Sequence, residues 1–104
     1  MRSIEIIGVA SGIGAPDPGC AEGPDCIEQS GLIPRLQQPA CDISWRSMLR
    51  PAAAPSTLAT IQALSAELAV EVCTTIDQGR LPLVIGGDHS CAIGTWSGAA
   101  QVLR

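Results

Sequence analysis

The chain has 104 residues and a net charge of −4, with 46% hydrophobic and 15% charged residues. That is enough chain for one small domain, and it is too apolar to stay disordered. The acidic balance, with no basic stripe, argues against nucleic-acid binding. Glu67, Glu71 and Asp77 break the longest apolar stretches, so no segment is expected to span a bilayer.

From the N-terminus, Ile4 to Val9 is an apolar, β-branched run that predicts a buried strand. Glu5 and the glycines that follow set it apart from the apolar core of a targeting peptide, and the expected compartment is the cytoplasm. Residues 11–23, SGIGAPDPGCAEG, form a loop rich in glycine and proline. Gly12 and Gly14 make a G-x-G, but Pro16, Asp17 and Pro18 stand where a dinucleotide-binding turn needs a helix start and a third glycine. Pro24 suits the first position of a short helix, and Gly31 suits its left-handed stop. Leu32, Ile33 and Leu36 then give the hinge an apolar cover.

Ala40 to Ser44 reads as a short second strand, and Met48 to Pro55 as a connector. Ser56 is a fitting N-cap for a long helix. Its apolar stripe is Ile61, Leu64, Leu68, Val72 and Ile76, stepped by three or four, and Gly79 stops it. Leu81 to Ile85 predicts another buried strand, with Pro82 near its start where a missing N–H is tolerated. Gly86 and Gly87 turn the chain. Ser90 to Leu103 predicts a last helix, weakened by Gly94 and Gly98.

Strands alternating with helices imply an α/β fold, a parallel sheet with helices packed on it. Such sheets bind ligands at the carboxyl ends of their strands. The loop at residues 12–23 and the turn at Gly86–Gly87 both belong to that edge. The five cysteines, at 20, 26, 41, 73 and 91, are odd in number and lack a C-x-x-C pair, so free thiols are expected.

The single histidine, His89, follows this last strand in LPLVIGGDHSCAIG, residues 81–94. A neutral imidazole is a common metal ligand. Its second nitrogen needs a partner, and Asp88 and Ser90 are the nearest candidates. By its chemistry alone, His89 reads first as an ordinary, half-buried histidine of a βα turn, because one imidazole does not make a metal site. Ser90 is no hydrolase nucleophile: G-D-H-S is not a G-x-S-x-G elbow.

VIGGDHSCAIGTWSG, residues 84–98, together with a first strand, a glycine-rich loop and G-C-A-E-G-P before a short helix ending at G-L, resembles the arginase (ureohydrolase) family. The resemblance implies a three-layer α/β fold with helices on both faces of a parallel sheet. It implies a binuclear manganese centre that hydrolyses a guanidino or amidino carbon–nitrogen bond, with arginine going to ornithine and urea. Agmatinases and formimidoylglutamases are the alternatives within the superfamily. A non-catalytic interaction module, kept from the same fold, is an alternative of another class.

Carried onto this sequence, the resemblance makes His89 a manganese ligand. Gly86, Gly87, Asp88 and Ser90 become framework or supporting residues. No catalytic residue is assigned. The family's second signature, Asp-Ala-His-x-Asp, and its late aspartate pair do not occur here. Glu28 stands where family members often carry arginine. The expectation is therefore one N-terminal, incomplete part of an arginase-like domain over residues 1–104, inactive by itself. Its partner is a small guanidino or amidino substrate in the complete protein, and a homo-oligomer is compatible with it.

Overall fold

A computed structural model describes residues 2–16 and 18–103 of the chain. Asp17, in the glycine- and proline-rich loop, lies outside the described residues, as do Met1 and Arg104. Three strands form one parallel sheet: β1 (Arg2–Val9), β2 (Cys41–Leu49) and β3 (Leu81–Gly86), in the order β2-β1-β3. The helices are α1 (Gly23–Gln29), α2 (Leu32–Arg35), α3 (Thr57–Asp77) and α4 (Cys91–Val102), with a 3₁₀ turn at Pro18–Glu22 before α1. The architecture is the α/β arrangement that the sequence predicts, a parallel sheet with helices packed on it.

The long helix α3 is set by its two ends. Ser56 Oγ accepts from the Ala59 N–H at 3.1 Å, satisfying a donor that has no partner within the helix. At the other end Gly79, at φ 78°, donates to the Ile76 carbonyl, and Arg80 N–H reaches back to Thr75. That pair of bonds is a Schellman stop, which needs the left-handed conformation glycine adopts cheaply. The predicted stripe faces the sheet. Leu64, Leu68 and Val72 pack with Ile7, Val9 and Leu49 as the core cluster, and Ile76 and Val84 flank it.

The crossovers from β1 to β2 and from β2 to β3 run in opposite directions across the sheet. Right-handed connections then place α1 and α2 on one face and α3 on the other. α4 lies along α3, and this contact overturns one expectation. Gly94 and Gly98 do not merely weaken α4; they let it approach α3. A Cβ on Gly94 would stand 2.5 Å from the Ser65 carbonyl oxygen, and one on Gly98 would overlap the Ala69 carbonyl.

The second strand is longer than predicted, ending at Leu49, so Met48 and Leu49 belong to the sheet and the connector begins at Arg50. The pattern was obscured by a bulge. β1 pairs Ile6 with Trp45 but Ile7 with Ser47, which leaves Arg46 as the extra residue. The bulge turns Arg46 toward α3, where it bonds Glu71 at 2.7 Å and Glu5 at 3.0 Å. It also brings Trp45 and Met48 to the same face, both against Gly8. Likewise, Leu32 and Ile33 are not hinge cover but the start of α2. Ile33 is buried, while Leu32 and Leu36 remain exposed.

Candidate functional site

β1 and β3 are adjacent in the sheet, so the loops leaving their carboxyl ends meet. The ladder does not stop with the strands. Gly87 N–H donates to the Val9 carbonyl at 3.0 Å, and Asp88 N–H donates to the Ser11 carbonyl at 3.1 Å. At Gly87 any side chain is excluded, because a Cβ there would overlap the Ser11 carbonyl. Gly86 is crowded on its other side by the Cys91 side chain. These two glycines are the turn expected from the sequence, and their need is close approach of backbone rather than unusual dihedral angles.

Asp88 sits at the centre of this junction. Its Oδ1 accepts from the Ser90 N–H at 2.7 Å, and its Oδ2 accepts from the Gly14 N–H at 3.0 Å. The N–H of Gly14 is thus given to a carboxylate on the neighbouring loop. This glycine brings the β1 loop against Asp88, and a Cβ added there would press on the Asp88 carboxylate and on Ser90 at 3.2 Å. Burial pushes the Asp88 carboxyl up. The opposing pull of hydrogen bonds from the Ser90 side chain and from the Gly14 and Ser90 N–H groups, with the nearby His89, is stronger and holds it below the usual carboxylate value.

His89 lies between Asp88 and Ser90 and is exposed. It borders an open depression of about 540 Å³ shared with Ser90, Ala92, Ile93, Trp96 and Ser97. Neither Asp88 oxygen is bonded to the imidazole; the carboxylate is turned to the Gly14 and Ser90 N–H groups and to the Ser90 side chain instead. Ser90 opens α4 as its N-cap without a side-chain capping bond. The Cys91 thiol behind the turn is half-buried. Burial, reinforced by the Asp88 charge, pushes its pKa up, which keeps it a neutral thiol. None of the five cysteines is in a disulfide.

Among the described residues no three His, Cys, Asp or Glu side chains are placed to hold one metal ion. The residues present supply one exposed imidazole and do not by themselves fit a manganese centre. No helix among them is long and apolar enough to cross a membrane.

The profile of the family described as "Arginase family" matches residues 2–104. The chain belongs to the arginase family. Human arginase-1 is 36% identical over 109 residues, spanning 97% of this chain and 34% of the human protein. Arginase of Staphylococcus aureus is 34% identical, spanning 96% of this chain and 37% of that protein. Among solved structures, arginase from Bacillus cereus superposes with a TM-score of 0.85 at 34% identity, covering 98% of this chain and 36% of that one. The Bacillus caldovelox arginase gives 0.85 at 33% identity, covering 97% and 37%. The chain thus spans about a third of the length of the arginases it matches. Sequence reasoning had found the G-G-D-H-S turn but missed Gly14, whose partner stands 74 residues away and leaves no local signal.

Proposed function

We propose that these residues form the part of an arginase-type hydrolase that presents one manganese ligand, His89. The reaction class is hydrolysis of a guanidino carbon–nitrogen bond, with arginine as the substrate and ornithine and urea as products. The observation that carries this reading is the placement of His89. It is exposed at the carboxyl end of β3, on a turn whose backbone is bonded to the loop after β1. That is the edge where an open parallel sheet binds its ligand. The names of the most similar relatives favour arginine over agmatine or formiminoglutamate. Among the described residues no group of three His, Cys, Asp or Glu is placed to hold a metal ion, so the reading assigns this turn a single donor.

The test is a chimera in which residues 2–104 replace the corresponding third of Bacillus caldovelox arginase. The chimera is expected to retain manganese and to release urea from arginine. His89→Ala is expected to reduce both at least about a hundredfold, since even residues behind a metal ligand are worth about 10- to 100-fold. A folded chimera in which His89→Ala hydrolyses arginine undiminished would overturn the assignment. The 104-residue chain alone is expected to release no urea above background. Hydrolysis by it, abolished by His89→Ala, would show that the ligand set is complete without further residues.

A further inference from the structure

We infer that Asp88 is a positioning residue, a carboxylate clasp that fixes His89 and couples it to the loop after β1. Three observations carry this. First, Asp88 Oδ1 accepts from Ser90 N–H, two residues on, at 2.7 Å. The ring so closed runs through the N, Cα and C atoms of His89, so the clasp restrains the backbone dihedral angles that set the direction of its Cα–Cβ bond. Second, Oδ2 accepts from Gly14 N–H at 3.0 Å, so the same carboxylate holds a segment that follows a different strand. Third, no hydrogen bond is made by the imidazole itself among the described residues, and the ring is exposed. The restraint that the described residues place on His89 is thus on the backbone beneath the ring.

The surroundings are shaped for this clasp. Gly14 has no side chain where one would press on Asp88 and Ser90 at 3.2 Å. Inside the β1 loop, Ser11 is buried. Its carbonyl takes the Asp88 N–H, and its hydroxyl takes the Ile13 N–H at 3.3 Å. Ser11, Gly14 and Asp88 thus form a closed circuit of bonds between the two loops. A charged acceptor makes such bonds stronger than neutral ones.

The purpose of the clasp rests on the reading of His89 as a ligand. The clasp itself is tested without any metal, so the two fail separately. In the 104-residue protein, amide hydrogen exchange at Gly14 and Ser90 and the backbone order parameter of His89 are measured by NMR for three variants. Asp88→Ala is expected to raise exchange at both amides at least about tenfold and to lower the His89 order parameter from a rigid value near 0.85 to below about 0.6. Asp88→Asn keeps one acceptor oxygen. It is expected to retain the short-range bond to Ser90 and the order of His89 while releasing Gly14. Gly14→Ala is expected to release Gly14 without altering the Ser90 amide.

This site-resolved pattern is one that general loosening cannot produce, because a merely structural residue would shift all amides together. Should Asp88→Ala fail to fold, Asp88→Asn and Gly14→Ala still decide the matter. A Gly14 amide equally protected in both of these variants would overturn the clasp. An unchanged His89 order parameter in folded Asp88→Ala would overturn the positioning role.

Discussion

At the scale of single residues, the junction between β1 and β3 is governed by what cannot be placed there. Gly87 lies with its Cα against the Ser11 carbonyl, and any Cβ would collide with backbone that has no rotamer to move. Gly87→Ala is expected to destabilise the fold by about 1–3 kcal/mol or more, the range of overpacking in a well-packed site. Gly23 is the contrast. Nothing lies within 4 Å of where its Cβ would be, its φ is not positive, and it opens α1. Gly23→Ala is expected to stabilise by roughly 0.4–1 kcal/mol through the unfolded chain. Urea denaturation of both variants checks the opposite signs.

Asp88 gives the acid side of the same junction. Its folded pKa lies below its ordinary value because the hydrogen bonds it accepts outweigh burial. A depressed carboxyl contributes stability fully above the unfolded pKa, near 4, and loses it as pH falls through the folded value. The stability gap between the wild type and Asp88→Asn is therefore expected to narrow as pH drops from about 4 toward 2. The Asp25–Arg50 pair, whose carboxyl is also held low, is common to both proteins and cancels. A gap of constant size down to pH 2 would contradict this.

At the scale of elements, the α3–α4 contact sets intrinsic propensity against packing. In an isolated helix, alanine is better than glycine by about 1 kcal/mol. In α4 a methyl at Gly94 would stand 2.5 Å from the Ser65 carbonyl oxygen and 2.9 Å from Leu68 Cβ. Gly94→Ala is therefore expected to lower the thermal midpoint, not raise it. A higher midpoint would mean that α4 is not seated on α3 as described.

The same scale shows where the sequence was legible. The ends of α3 could be read because Ser56, Gly79 and the stripe between them act through local geometry. The strand β3 could be read because an apolar run between a glycine stop and a glycine turn has few other uses. The strand β2 was cut short because the bulge at Arg46 shifts the alternation of Trp45, Arg46, Ser47 and Met48 by one residue. The partners that make the bulge intelligible, Glu5 and Glu71, lie on two other elements. For the same reason Gly94 and Gly98 read as flaws in a helix until α3 is beside them. The G-G-D-H-S turn was legible as a motif, but the carboxylate's choice of Gly14 over the imidazole was not.

At the scale of the whole molecule, burial is one-sided. Ten hydrophobic residues are buried among those described, and as many large ones are exposed. The backbone spans 45 × 35 × 18 Å, a slab rather than a sphere. Much of the exposed apolar surface gathers around β3, the strand at one edge of the sheet. Leu81 and Leu83 are exposed along β3, in register with Ile4 and Ile6 of β1. The other face of β3 borders an apolar cleft of about 390 Å³ reaching Trp96 and Leu103, with Trp96 itself 75% exposed. A strand edge with apolar surface on both sides invites pairing.

The 104-residue chain is therefore expected to self-associate, with a sedimentation coefficient that rises with concentration. Replacing Leu83 and Trp96 together by lysine is expected to suppress that rise while leaving the far-ultraviolet circular dichroism unchanged, since neither side chain is buried. The form of the association then separates the two classes of function. A broad, concentration-dependent distribution fits a surface that the remaining two-thirds of an arginase would cover. A single stable dimer, disrupted by the same lysines, would favour a module that uses this edge for a second copy of itself. The first outcome is expected on the reading proposed above, in which His89 is one donor of a centre that needs several.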